Sequence, residues 1–426
     1  MPSFEPSVQA ARQCLDRVQP DAYARTRNAL HGAVTRLSPY LTHGFLSLAD
    51  VYGAVHARHT LHPKHKLVFE LGWRAYYRHV WAHLGDGIDQ SLHAGLLPEN
   101  AYQQDMPPDV LQARTGVPAI DLAVRDLHET GYVHNHARMW LASYLVHVRK
   151  VYWRAGAQWM LGHLLDGDRA SNHLSWQWVA GTSSVKPYLF NADNVAKYAP
   201  AEWHSPDTAI DISYEAMDVL ARSTAPVWQP QDAQPAGDGL SAPQLFESPF
   251  KSPLQSPLAS ASGGPWRTPD ALSAQHITGR DVWLHHPWSL GNGPTSIAAD
   301  VLRIGVGIDT CHTHSPWNQR RWDFVTQGLQ AQASAVLPLW WGSVEQISGA
   351  LQCAKSVHWQ PDPHVDAALA KLQTLLHATH PQCATGPQPV PSLFEPVDGL
   401  CRSFSEWWRQ TRIEPTHTRI EAPPAP

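Results

Sequence analysis

The chain has 426 residues, 43% hydrophobic and 16% charged, so it can bury a sizeable core, which excludes global disorder; at roughly 150 residues per domain it holds two to three domains. A formal net charge of −5, from 32 basic and 37 acidic side chains, excludes a uniformly basic nucleic-acid coat. The charge is uneven, with 19 basic against 16 acidic side chains in residues 1–200 and 13 against 21 in residues 201–426, so the first half alone is open to an anionic partner.

In chain order, residues 1–200 read as helices, because apolar residues recur at three- and four-residue spacing with no sustained alternation. Leu67, Leu71, Tyr76, Val80 and Leu84 mark a helix from Lys66 to Leu84. Gly116-Val117-Pro118 opens another that carries Ile120, Val124 and Leu127 and stops at Gly131. A third is predicted from His136 to Trp153 on Leu141, Leu145 and Val148. Pro, Ser, Ala, Gln and Gly then dominate residues 222–277, which reads as a linker. Beyond it, Asp281-Val-Trp-Leu, Leu302 to Ile308 and Ala335 to Trp341 read as buried strands, with helices at about 317–331, 344–353 and 364–377. Strands alternating with helices give a small parallel α/β unit. The organisation expected is therefore an all-α domain over 1–221, a linker over 222–277, a smaller Rossmann-like α/β domain over 278–412 and a flexible tail over 413–426.

Cys14, Cys311, Cys353, Cys383 and Cys401 are odd in number and too scattered for a zinc ribbon, so reduced thiols and no metal are expected. No signal-type leader opens the sequence, and no apolar run reaches about 18 residues. A cytoplasmic protein without a membrane span is the expectation. The 19 Trp are compatible with large cores, stacking platforms or electron-transfer chains.

The densest chemistry lies in L-L-D-G-D-R-A-S-N-H-L-S-W-Q-W (164–178). Asp166 and Asp168 flank a glycine that lets the backbone turn, Asn172 offers a donor and an acceptor, and Trp176 and Trp178 offer ring faces. The plainer reading of the same stretch is an acidic helix start followed by a Trp-rich core. Upstream stand T-R-L-S-P-Y-L-T-H-G-F-L-S (35–47), F-E-L-G-W-R-A-Y-Y-R-H-V (69–80) and T-G-V-P-A-I-D-L-A-V-R-D-L-H-E-T-G-Y-V-H-N-H-A-R-M (115–139).

Together, in this order, these blocks resemble the FAD-binding helical domain of the cryptochrome/photolyase family, from Tyr23 to Asn191. The resemblance implies FAD as cofactor. Thr35, Arg36, Leu37 and Ser38 match a phosphate-binding turn; Tyr23 and Arg27 match a pair touching cofactor and DNA phosphate. Asp166 and Asp168 match acids at the flavin and ribose edge, Arg138 matches the partner of the first, and Asn172 matches the residue facing flavin N5. Glu70, Trp73 and Tyr77 fall on one helix face, with Arg74 and Arg78 beside them. The matching Glu hydrogen-bonds a flipped-out pyrimidine dimer, and Trp73 and Trp178 match its aromatic walls. Asn135 and Met139 fit the cyclobutane-dimer pattern.

Trp176 and Trp153 match the first two members of the family's Trp chain, core packing being the alternative for Trp153; the third falls near Asn100, with Tyr102 the nearest aromatic in sequence. His136 stands where close relatives carry a DNA-contacting Arg, and the loop Thr182 to Asn191 is shorter than usual. D-V-W-L-H-H-P-W-S-L-G-N-G-P (281–294), G-I-D-T (307–310), S-P-W-N-Q-R-R-W-D-F-V (315–325) and P-S-L-F-E-P-V-D-G-L-C-R-S-F-S-E-W-W-R-Q-T (391–411) resemble the family's α/β antenna domain, which normally comes first, so the order looks circularly permuted. No residue set identifies an antenna pigment. The expectation is a deoxyribodipyrimidine photo-lyase, a light-dependent flavoprotein acting on DNA that contains pyrimidine dimers. The alternatives are a cryptochrome-like blue-light photoreceptor that signals through a protein partner and a light-independent flavin-binding remnant.

Overall fold

The computed structural model describes residues 4–224, 240–249, 265–269, 275–294, 297–298, 300–334 and 337–414. Up to Arg222 the described chain is helical, with one isolated bridge between Gln103 and Val151. Ser47 starts the helix Leu48–His59 with a capping box that closes through Asp50. The predicted helices Lys66–Leu84 and Pro118–Thr130 are present, the second ending where Gly131 takes a left-handed backbone at φ 67°.

The single helix predicted over 136–153 is not. The chain forms the helix Asn135–Ser143, a wide π turn over Tyr144–Val148, a break, and a new helix Trp153–His163. Lys150 lies at the break with φ 53°. Its buried ammonium donates to the carbonyl oxygens of Leu220 (2.8 Å) and Ala221 (3.0 Å), closing the C-terminal end of the helix Tyr214–Arg222.

The second half carries eight short strands among the described residues: β1 (Leu245–Phe246), β2 (Trp266–Arg267), β3 (Asp281–His285), β4 (Leu302–Ile308), β5 (Trp317–Asn318), β6 (Leu339–Gly342), β7 (Ser356–Trp359) and β8 (Ala384–Pro387). Six form one parallel sheet in the order β2-β6-β4-β3-β7-β8, with Val282 opposite both Leu302 and Val357. The order from β6 to β8 is that of a doubly wound Rossmann-type sheet. Helices Gln319–Gln332, Val344–Leu351 and Asp366–Thr379 stand near the three predicted. Within the span read as linker, β1 pairs with β5 and β2 extends the sheet edge, because Trp266 finds a buried place against Trp341. Residues 225–239, 250–264 and 270–274 of that span, and the tail beyond Glu414, lie outside the described residues.

The halves share a core. One hydrophobic cluster runs from Leu37, Val68 and Leu71 to Val282, Val306 and Trp340, while a second, with Val124, Leu141, Trp153 and Trp176, stays within the helices. At the carboxyl edge of the sheet, the fully buried His43 lies 2.6 Å from Pro287 O by Nδ1 and 2.8 Å from Leu165 O by Nε2, bridging β3 to the turn that carries Asp166.

Candidate functional site

Asp166 and Asp168 are buried on either side of Gly167 and border a cavity of about 770 Å³. Asp168 accepts a hydrogen bond from Ser171 N and so caps the helix Arg169–Ala180, so one side chain both starts a helix and borders the cavity. Burial alone would raise both carboxyl pKa values. The guanidiniums of Arg78 and Arg74 instead hold Asp168 far below its ordinary range, and Arg138, with Ser38, lowers Asp166. Arg138 Nη2 donates to both oxygens of Asp166, at 2.9 and 2.8 Å.

Arg74 and Arg78, read from sequence as flanking the substrate face, turn inward. Arg78 pairs with Asp168 and, at 3.0 Å, with Asp362 beyond β7; Arg74 donates to Thr42 Oγ1 at 2.9 Å and lies 3.6 Å from Asp168. Two buried acids create that pull, which helix-face geometry alone does not contain.

Tyr23, Thr35, Arg36 and Ser38 line the same cavity. Arg36 has φ 53°, and its guanidinium lies over the rings of Phe4 (4.6 Å) and Tyr132 (4.9 Å). Leu37 does not line the cavity. Its side chain is buried in the core before the helix Ser38–Thr42, so only the backbone of this position belongs to the turn. Tyr132 and Ser171 also border the cavity, and Ser171 Oγ is buried without a hydrogen-bond partner. Tyr132 lay inside a block already singled out; Ser171 carried no sequence signal beyond its place after Asp168.

The mouth is built by the helix Lys66–Leu84. Glu70, Trp73 and Tyr77 line the cavity together, with Arg27, Asn135, Met139, Asn172, Trp176 and Trp178. Glu70 pairs with Arg27 (3.4 Å) and Lys66 (3.9 Å), not with Arg74. Trp73 stacks on Phe404 with centroids 4.1 Å apart and planes at 11°. Trp178 is 37% exposed and stacks on Tyr188 at 5.5 Å. Asn135 reaches Met139 Sδ at 3.8 Å, and Asn172 Nδ2 donates to Ala157 O at 2.8 Å. His136 is turned inward, 2.8 Å from Asn28 O and 3.2 Å from the Tyr188 hydroxyl.

Trp176 borders the cavity, but Trp153 does not. Its indole N–H donates to Ser91 Oγ (3.0 Å), and its ring borders a second cavity of about 580 Å³ with Tyr102 and Tyr152. Trp153 is in ring contact with Tyr152, at 5.8 Å, and with His173, at 6.1 Å, but Tyr102 is not among its ring contacts in the described residues. Tyr152 donates to Glu99 at 3.1 Å.

Residues 67–205 match the family described as the FAD binding domain of DNA photolyase. The deoxyribodipyrimidine photo-lyase of Synechococcus sp. is 32% identical over 208 residues, 46% of this chain and 43% of that relative. The cryptochrome DASH of Synechocystis sp. is 34% identical over 168 residues, 37% of this chain and 34% of that one. Among solved structures, a cryptochrome from Synechocystis sp. covers 45% of this chain and 43% of its own at 30% identity, with a TM-score of 0.41. Through its helical region the chain is similar to members of the cryptochrome/photolyase family. It spans less than half the length of these relatives.

The residues present fit FAD. The cavity is of ligand size, about 300–1,000 Å³ being usual. Its wall holds one unsatisfied hydroxyl, Ser171 Oγ, and combines Arg36, Arg138 and hydroxyls with aromatic and amide groups.

Proposed function

We propose that this chain is a light-dependent flavoprotein of the photolyase type, a deoxyribodipyrimidine photo-lyase that holds FAD in the 770 Å³ cavity and acts in the cytoplasm on cyclobutane pyrimidine dimers in DNA. The observation that carries this reading is a single cavity lined both by Tyr23, Thr35, Arg36, Ser38, Arg138, Asp166, Asp168 and Asn172 and by Glu70, Trp73, Tyr77 and Trp178. When bound there, reduced FAD supplies, on excitation by blue or near-UV light, an electron to the dimer and takes it back once the ring has opened.

The chain's own part is binding, orientation and electrostatics. Arg36, Thr35 and Ser38 face the pyrophosphate with a charge and two hydroxyls. Asp166 and Asp168, kept ionised by three guanidiniums, accept hydrogen bonds from the ribose and flavin edge. Asn172, fixed by Ala157 O, offers its amide to flavin N5. Glu70, paired with Arg27 and Lys66, accepts from a flipped-out base, while Trp73 and Trp178 shield the pocket from water. Trp176 and Trp153 relay electrons. The sheet unit after the helices is read as the family's antenna-type domain in permuted order, without an assigned pigment.

A photoreceptor without repair activity is the second reading. It is favoured by His136, whose ring is engaged by Asn28 and Tyr188 and brings no permanent charge to a phosphate. Purified protein should show flavin absorbance or retain added FAD. With FAD bound and reduced, illumination should restore thymine-dimer oligonucleotides; a flavin-loaded protein that leaves them unrepaired moves the assignment to the photoreceptor.

A further inference from the structure

The turn that carries Asp166 and Asp168 is gripped from the sheet unit. β5 runs past it, so that Asn318 Nδ2 donates to His163 O at 2.9 Å, and the following helix Gln319–Gln332 delivers Arg321. Arg321 is 1% exposed. Its Nη1 donates to Leu161 O (3.1 Å), its Nη2 to Gly167 O (2.6 Å), and its guanidinium lies 3.9 Å over the ring of Trp317. Its Nε is buried without a hydrogen-bond partner. Gly167 is required by this approach, because a methyl group there would stand 2.4 Å from Nη1 and 2.6 Å from Leu161 O.

The surrounding charge does not cancel. Asp166 is paired with Arg138, while Asp168 and Asp362 share Arg78, with Arg74 beside Asp168. His364, the other partner of Asp362, has its pKa lowered by burial and is neutral near pH 7. Among these groups Arg321 has carbonyls and a ring as partners but no carboxylate within ion-pair distance. Burial lowers its pKa to about 9, the carboxylates of Asp166 and Asp168 working in the opposite direction, so it remains a cation at neutral pH. A buried cation held by neutral dipoles costs folding free energy unless an anion joins it.

We propose that Arg321 is a positioning residue contributed by the sheet unit: its fork fixes the Asp166–Gly167–Asp168 turn, and its uncompensated charge favours a bound flavin that is reduced and anionic over one that is oxidised and neutral. This rests on the assignment of FAD to the cavity. It gives the sheet unit a part in the flavin site that needs no antenna pigment, and it makes the docking of the two halves a condition for the reduced cofactor.

The test is the two-electron midpoint potential of bound FAD, with FAD affinity and thermal unfolding of the flavin-free protein measured alongside. Arg321→Met removes the charge at similar length and should weaken the preference for the reduced form about tenfold, a fall of about 30 mV. Arg321→Lys keeps the charge but not the fork; its potential should stay near that of the parent while FAD affinity drops several-fold. Arg321→Gln, which keeps an amide donor without the charge, should lower the potential as Arg321→Met does, so the test stands even if Arg321→Met does not fold. A folded Arg321→Met or Arg321→Gln protein with the parent's potential overturns the proposal, as does an Arg321→Lys potential as low as that of Arg321→Met. A parent protein that retains no FAD overturns the cofactor assignment as well.

Discussion

Asp168 performs two jobs that separate under substitution. Its side chain caps a helix and also balances Arg78 and Arg74 at the cavity wall. Asn caps a helix as well as Asp does, so Asp168→Asn leaves the helix start intact, takes from the half-buried Arg74 its carboxylate and leaves Arg78 with Asp362 alone. We expect a loss of stability of about 3–5 kcal/mol by thermal or urea unfolding and at least tenfold weaker FAD retention in a binding titration. The acids were legible in the sequence because a two-residue spacing across a glycine is a local pattern. Their partners were not: Arg78 and Asp362 are 284 residues apart, and only the folded chain shows Arg74 and Arg78 turned toward Asp168. Leu37 makes the same point in reverse, since a motif match cannot separate a backbone contribution from a side chain that belongs to the core.

Between elements, the helices Trp153–His163 and Arg169–Ala180 meet where the ring of Trp176 packs against Gly156; a methyl group at 156 would stand 2.4 Å from that ring. Gly156→Val should therefore displace Trp176, cost about 1–3 kcal/mol in unfolding and slow light-driven reduction of bound flavin in a stopped-illumination assay. At the cavity mouth, the helix Phe404–Gln410 supports the helix Lys66–Leu84 through the stack of Phe404 on Trp73. Phe404→Ala should cost about 3 kcal/mol and lower dimer repair several-fold, with FAD retention measured by absorbance unchanged. Helix periodicity located most of these elements, but not the break at Lys150, whose cause is the end of another helix some 70 residues away. Strands β7 and β8 escaped as well. Ser356–Trp359 and Ala384–Pro387 are too short and mixed to announce themselves, and they become strands only because β3 offers a paired edge to the first, which then offers one to the second.

For the molecule as a whole, the halves separated by composition are joined in one core, and many of the 26 histidines are inside it. Burial pushes the imidazoles of His43, His163, His285 and His312 down to about 3, and those of His128, His134 and His147 to about 4. In the unfolded chain the same rings titrate near about 6.5, so between that pH and about 4 the unfolded state binds more protons and stability falls with falling pH. Asp166 and Asp168, lowered in the folded state, add a loss of the same sign below about pH 4. Melting temperatures measured in steps from pH 7.5 to 4.5 should fall continuously, starting near about pH 6.5; a flat profile across that window contradicts the buried, neutral histidines. The net charge of −5 says nothing of where the cavity lies, whereas the ordered blocks contain many of the residues that line it.

The central claim is that one cavity holds reduced FAD beside a dimer pocket. It is tested most directly by illuminating the FAD-loaded, reduced protein with an oligothymidylate that carries cyclobutane dimers and following the return of thymine absorbance. We predict light-dependent repair by the parent protein and a loss of at least about tenfold in Glu70→Ala with its flavin still bound. Flavin-loaded parent and Glu70→Ala proteins that both leave the dimers intact would contradict the account.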